Sequence, residues 1–113
     1  DRVFPENDHR NFNEDGQCFN VGETFSGLPF EKGVELSEKL KGLVPPEITM
    51  TQLALRWILD FDAVTVVIPG GKNTQQVMEN SLVSDITNLT ENSHNKLSEF
   101  YNNEVKAYIR GKY

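Results

Sequence analysis

The sequence has few of the features that mark secreted, membrane-spanning or metal-binding proteins. Its only cysteine, Cys18, cannot form an internal disulfide, and no CxxC or Cys/His cluster occurs. We therefore expect no metal site and a reducing, cytoplasmic setting. No apolar run approaches the roughly 18 residues that a membrane helix needs. The start is polar, unlike a signal peptide, and because it is not Met we expect it to come from cleavage or cloning.

Basic residues are also scarce. The chain has 11 Lys and Arg against 17 Asp and Glu, which gives a net charge of −6. Proteins that bind nucleic acid usually carry a basic face, and anionic lipid repels an acidic surface. We therefore expect neither nucleic acid nor membrane as a partner, and we interpret the charge as an aid to solubility.

A hydrophobic content of 37% is enough for a modest core. Residues 1–30 nevertheless have no helical or alternating apolar period, and they predict a long loop. Five phenylalanines recur within this loop, which favours a lid or cover whose aromatic rings dock on another surface: Phe4, Phe12, Phe19, Phe25 and Phe30.

The rest of the chain predicts four helices. Pro45 and Pro46 should end the first helix, Thr49 and Gln52 form a capping-box pattern, and Asn73 and Thr90 are candidate N-caps. The predicted helices are Phe30 to Leu43, a second from Met50, a third from Thr74 to about Val83, and Glu91 to Tyr108.

One short segment, Ala63 to Ile68, has the composition of a strand. It is almost entirely apolar and β-branched, which is typical of a parallel strand buried on both faces. Its backbone would have to pair with neighbouring strands, yet the sequence contains no second strand of similar strength. We therefore expect the neighbouring strands to lie in sequence outside this chain or in another chain.

The turn Pro69-Gly70-Gly71 after this strand predicts an anion site. Glycines let a phosphate approach the backbone, the N–H groups of a following helix point toward it, and Lys72 adds a positive charge. An ordinary βα turn would explain the same pattern, and the spacing matches neither a Walker A loop nor GxGxxG. Gln76 could simply help to cap the helix.

Other polar and aromatic residues have simpler explanations. We interpret His9 and His94 as solvated rather than catalytic, and Trp57 as a core anchor. No Ser/His/Asp or Cys/His arrangement is detectable.

Residues 53–80, LALRWILDFDAVTVVIPGGKNTQQVMEN, resemble the last βα unit of aldo-keto reductases. The upstream stretch DHRNFNEDGQCFNVGETFSGLPFEKG resembles the long connection after the seventh strand in bacterial members. The family implies an α/β fold, a (β/α)8 TIM barrel that reduces small-molecule aldehydes and ketones to alcohols. By this resemblance residues 1–30 follow the seventh strand, and residues 31–113 supply the last helices and the eighth strand. The chain would then be a mostly helical C-terminal fragment with one buried strand.

The resemblance also implies a cofactor site for NADPH, with NADH as the alternative. Gly70, Gly71 and Lys72 would form the turn near the adenosine 2′-phosphate, with Lys72 as its main cation. The remaining implied cofactor-binding residues end the strand or lie on the following helix: Ile68, Pro69, Gln76, Glu79 and Asn80. The family passes hydride from nicotinamide to a carbonyl carbon, with a tyrosine as proton donor. None of its catalytic motifs occurs here, so we assign no catalytic residue and expect the chain alone to be inactive.

Two other functions fit the sequence: a non-catalytic, reductase-like binding subunit and a small helical interaction domain. In the fragment interpretation, the unpaired strand is expected to make the isolated chain self-associate.

Overall fold

The computed structural model describes Glu6 and residues 28–109. The predictions for the phenylalanine-rich segment up to residue 27, and for His9, therefore lie outside the described residues. The described part is mostly helical, as predicted. Its α-helices are α1 (Phe30–Leu40), α2 (Met50–Leu59), α3 (Thr74–Ser81) and α4 (Glu91–Phe100). Short 3₁₀ turns occupy Lys41–Leu43, Leu82–Asp85 and Lys106–Tyr108, and Tyr101–Val105 is a π-helical turn.

The chain divides into two compact units, and the first comprises residues 1–40 and 99–113. In its described part, α1 buries Leu36. The Lys39 ammonium lies 2.8 Å from the Glu104 carboxylate, and the Lys32 ammonium lies 4.3 Å from the centre of the Tyr108 ring. These contacts join α1 to the end of the described chain within this unit.

The second unit, residues 41–98, is built around α2. The predicted capping box is present: the Thr49 side chain accepts a hydrogen bond from the Gln52 N–H, and the Gln52 side chain accepts one from the Thr49 N–H. These reciprocal bonds satisfy donors that a helix start would otherwise leave unpaired. The helix buries Leu53, Leu55 and Arg56. The predicted N-caps Asn73 and Thr90 are also confirmed, since their side chains accept the N–H groups of Gln76 and Ser93.

The predicted buried strand is wrong for the described residues, which contain no β-strand. Residues 64–71 have no regular secondary structure, Val66 is 68% exposed and Ile68 is 90% exposed. The physical reason is the lack of a pairing partner within the described part, because a strand needs a neighbour for its backbone hydrogen bonds. We call residues 64–69 the extended segment.

The prediction for Trp57 as a core anchor is also wrong. Trp57 is 40% exposed, and its ring meets that of Phe61 edge to face with centroids 4.9 Å apart. The helix turns Leu53 and Arg56 inward instead, so Trp57 lies at the border of the core. No helix of the described residues is both long and apolar enough to cross a membrane.

Candidate functional site

The candidate site lies where the extended segment meets α3. We call Gly70, Gly71 and Lys72 the glycine turn. Asn73 follows in extended backbone geometry, with φ −151° and ψ 165°, and its side chain accepts the Gln76 N–H at 2.9 Å. This N-cap fixes the direction in which α3 leaves the turn.

Two side-chain amides on α3 reach back to the glycine turn. The Gln76 Oε1 accepts the backbone N–H of Lys72 at 2.7 Å. The Asn80 Nδ2 donates to the Gly70 carbonyl at 3.2 Å. The sequence allows Gln76 to help cap the helix. Its side chain does accept a backbone N–H at the start of α3, but from Lys72, one residue before the N-cap Asn73. Both ends of the turn are held by the same helix.

The two glycines of the turn have different surroundings. A Cβ atom added to Gly71 would lie 2.9 Å from the Cγ2 of Val77, which is closer than real Cβ atoms approach. A Cβ atom added to Gly70 would have no atom within 4 Å. Gly71 therefore allows the turn to pack against α3, whereas Gly70 leaves its backbone open to an approaching ligand.

The other predicted residues are less closely connected to the turn. Ile68 and Pro69 are exposed and lead into it. Glu79 is engaged by its neighbour on the helix, because the Gln75 Nε2 donates to its carboxylate at 2.8 Å. The structure thus brings together Gly70, Lys72, Gln76 and Asn80.

An open cavity of about 360 Å³ lies between the extended segment and α3. Its lining includes Val66, Val77, Val83 and Asn80, and it contains no charged side chain. A phosphate would need positive charge or several donors, so the cavity does not suit an anion.

The glycine turn itself has the composition that an anion requires. The N–H groups of the first helical turn have no acceptor inside the helix, and the macrodipole places partial positive charge there. Lys72 supplies a full positive charge, and the open side of Gly70 allows close approach. The residues present therefore fit the phosphate-bearing half of a dinucleotide.

Sequence reasoning missed a second polar cluster, which surrounds Asp60 at the end of α2. The Asp60 carboxylate is 3% exposed and lies 2.8 Å from the Arg56 Nε and 2.8 Å from the His94 Nε2. It also accepts the Leu89 N–H at 2.9 Å, and Arg56 donates to the Ile86 carbonyl at 3.3 Å. The prediction of a solvated His94 is therefore wrong. The i, i+4 spacing of Arg56 and Asp60 was the available signal.

Opposing effects act on the pKa of Asp60. Burial raises this pKa, but the hydrogen bonds from His94, Leu89 and Arg56 outweigh it, so the pKa falls below its ordinary value of 3.8. A carboxylate that stays charged next to a buried guanidinium can hold α2 to α4 and to residues 86–89 just before α4. These contacts make the cluster a structural tie between α2, residues 86–89 and α4.

Comparison with known proteins identifies the family. Residues 1–102 of the 113-residue chain match the family model described as Aldo/keto reductase family. The chain therefore belongs to the aldo/keto reductase family, a family of oxidoreductases whose fold is a TIM barrel. No curated protein and no solved structure matches the chain.

Proposed function

We propose that the chain forms the last part of an NAD(P)H-dependent aldo-keto reductase barrel. In this proposal α2 is the seventh helix, the extended segment is the eighth strand, and α3 and α4 follow it. The complete protein reduces aldehydes and ketones to alcohols. This chain contributes the adenosine-phosphate side of the cofactor site and no catalytic residue.

The observation that carries the proposal is the exposure of the extended segment. Burying β-branched side chains is favourable by about 1.5–3 kcal/mol each, yet Val66 and Ile68 are mostly exposed. A TIM-barrel strand has a parallel neighbour on each side and a layer of helices outside. Those neighbours would satisfy the backbone of residues 64–68 and cover their side chains.

The position of the glycine turn agrees with this assignment. In TIM barrels the active site lies at the carboxyl ends of the strands, and phosphate groups commonly bind at a helix N-terminus after one of the last strands. The turn directly follows the extended segment and leads into α3. Lys72 and the N–H groups of α3 would hold the adenosine phosphate, and the bound cofactor would supply hydride for carbonyl reduction.

The proposal can be tested by comparing the complete protein with this chain. We expect the complete protein to bind NADPH and to reduce an aldehyde such as 4-nitrobenzaldehyde, and we expect the 113-residue chain to show no turnover. In the complete protein, Lys72→Ala should weaken NADPH binding about tenfold or more, because a hydrogen bond to a charged group is lost.

Lys96, an exposed lysine on α4, provides the matched control for this experiment. Lys96→Ala should leave the affinity for NADPH within about twofold of the original. Turnover by the isolated chain, or a complete protein that binds neither NADPH nor NADH, would contradict the proposal.

The exposure of the extended segment also argues against the small helical interaction domain. A self-sufficient helical interaction domain would protect its most apolar segment, and the described residues leave it uncovered. We therefore favour the reductase, and we propose that the isolated chain self-associates through this segment.

A further inference from the structure

We propose that Gln76 and Asn80 are positioning residues that hold the glycine turn in its binding shape, while the charge of the 2′-phosphate is met by Lys72, as the family resemblance implies. This inference rests on the proposed function, because it concerns the same adenosine-phosphate site. It assigns two tasks to different residues: Gln76 and Asn80 keep the turn ordered, and Lys72 recognises the charge of the phosphate.

The first support is the pairing of the two amides with the two ends of the turn. Gln76 accepts the Lys72 N–H at 2.7 Å, and Asn80 donates to the Gly70 carbonyl at 3.2 Å. Residues four positions apart lie on the same face of a helix, so one face of α3 holds both ends. An amide suits both bonds because it carries an acceptor and a donor.

The second support is the packing of Gly71 between these two bonds. The backbone of Gly71 lies so close to Val77 that a Cβ atom would come within 2.9 Å of its side chain. Each residue of the turn therefore touches α3. A turn ordered before the ligand arrives does not have to be ordered by binding, which favours affinity for any ligand that uses its backbone.

The third support is the distribution of charge. Between residues 68 and 80 the only charged side chains are Lys72 and Glu79. Gln76 and Asn80 are neutral, and one polar atom of each side chain is hydrogen-bonded to the backbone of the turn. A dianionic phosphate is bound most strongly by a formal positive charge, so the gain in affinity from the 2′-phosphate should depend on Lys72.

The closing experiment measures binding of two probes to the complete protein by titration calorimetry. The probes are 2′,5′-ADP and 5′-AMP, which differ only by the 2′-phosphate. We expect Gln76→Ala and Asn80→Ala each to lower the affinity for both probes by the same factor, about threefold to tenfold, because each removes one hydrogen bond. Lys72→Ala should weaken 2′,5′-ADP about tenfold or more and leave 5′-AMP nearly unchanged.

A second measurement, without ligand, follows hydrogen exchange at the Lys72 amide. Gln76→Ala should accelerate this exchange about tenfold, because the N–H loses its acceptor. Gln75→Ala is the matched control: Gln75 is the adjacent glutamine but bonds to Glu79, so the Lys72 amide should exchange as before.

The results distinguish the two proposals. The positioning role is overturned if Gln76→Ala leaves the exchange of Lys72 unchanged, or if it weakens 2′,5′-ADP much more than 5′-AMP. If the unaltered protein binds neither probe, the proposed function fails, and the exchange measurement still decides whether Gln76 orders the turn.

Discussion

Asp60 and Ile68 lie in the same unit, eight positions apart, and their exposure is the reverse of what their polarity suggests. The Asp60 carboxylate is 3% exposed, whereas Ile68 is 90% exposed. The carboxylate finds its partners within the unit, in Arg56, Leu89 and His94. No β-strand among the described residues 41–98 pairs with the extended segment.

This difference shows that burial follows the availability of partners. A buried charge is tolerated when hydrogen bonds replace its hydration. An apolar strand is buried only when other strands satisfy its backbone, whatever its hydrophobicity. The Asp60 cluster therefore has its partners among the described residues, whereas in the proposed barrel the extended segment would find its partners in neighbouring strands.

The largest effect is expected from a charge in the extended segment of the complete protein. Val66→Lys would place an ammonium in the interior of a sheet and should cost about 4 kcal/mol or more. In the isolated chain, where Val66 is exposed, the same change should cost less than about 0.5 kcal/mol. Chemical denaturation of both proteins measures the two values.

Thr87→Lys, in an exposed loop of the same unit, is the control for this comparison. It should be nearly neutral in both proteins. If Val66→Lys were equally harmless in the complete protein, the extended segment would not be a barrel strand.

The next effect concerns the Asp60 cluster. Asp60→Ala would leave the buried Arg56 without its carboxylate and should lower the free energy of unfolding by about 3–5 kcal/mol. Urea denaturation can follow this through Trp57, the only tryptophan of the chain, which lies one turn of helix away. Asp62→Ala, at an exposed position, should change the stability by less than about 0.5 kcal/mol.

The same carboxylate predicts a dependence on pH. Its pKa is lower in the folded state than its ordinary value of 3.8, because hydrogen bonds from His94, Leu89 and Arg56 outweigh the effect of burial. Its stabilising contribution is therefore present above about pH 4 and is lost as the pH falls through the folded-state pKa. Each unit of lowering corresponds to about 1.4 kcal/mol.

Acid denaturation of the original protein and of Asp60→Asn tests this sign. The difference in stability between them should shrink steadily below about pH 4. A difference that stays constant down to pH 2 would mean that Asp60 does not titrate differently in the folded state.

The smallest effect sharpens the contrast between buried and exposed ion pairs. Lys39 bridges Glu35 and Glu104 on the surface of the first unit, at 3.2 Å and 2.8 Å. Because water and salt screen such pairs, Lys39→Met should change the free energy of unfolding far less than Asp60→Ala does, and 1 M salt should abolish most of the difference. A cost near that of Asp60→Ala would show that exposure does not separate the two pairs.

Local signals made the helices predictable from the sequence. Thr49, Asn73 and Thr90 form the caps that their side-chain chemistry favours, and these need only neighbours a few residues away. The four residues of the turn region that come together were also among those predicted. Capping and turn chemistry are written in short stretches of sequence.

The features that escaped prediction depend on distant residues. His94 forms a hydrogen bond with Asp60, which lies 34 positions earlier in the sequence, and no local sequence pattern predicts that contact. Apolar and β-branched content predicted a buried strand at residues 63–68, and this prediction is wrong because pairing and burial depend on residues distant in sequence. The exposure of Trp57 is a similar case, because which side chains of α2 are covered depends on residues distant in sequence.

The capped starts of α2 and α3 have a consequence for how such a barrel assembles. Contacts between residues close in sequence form rapidly, whereas pairing of distant strands is slow. We expect the helices on both sides of the extended segment to take shape early. The extended segment would pair with its neighbouring strands last. Until then, it would be the part of the chain most prone to associate with other molecules.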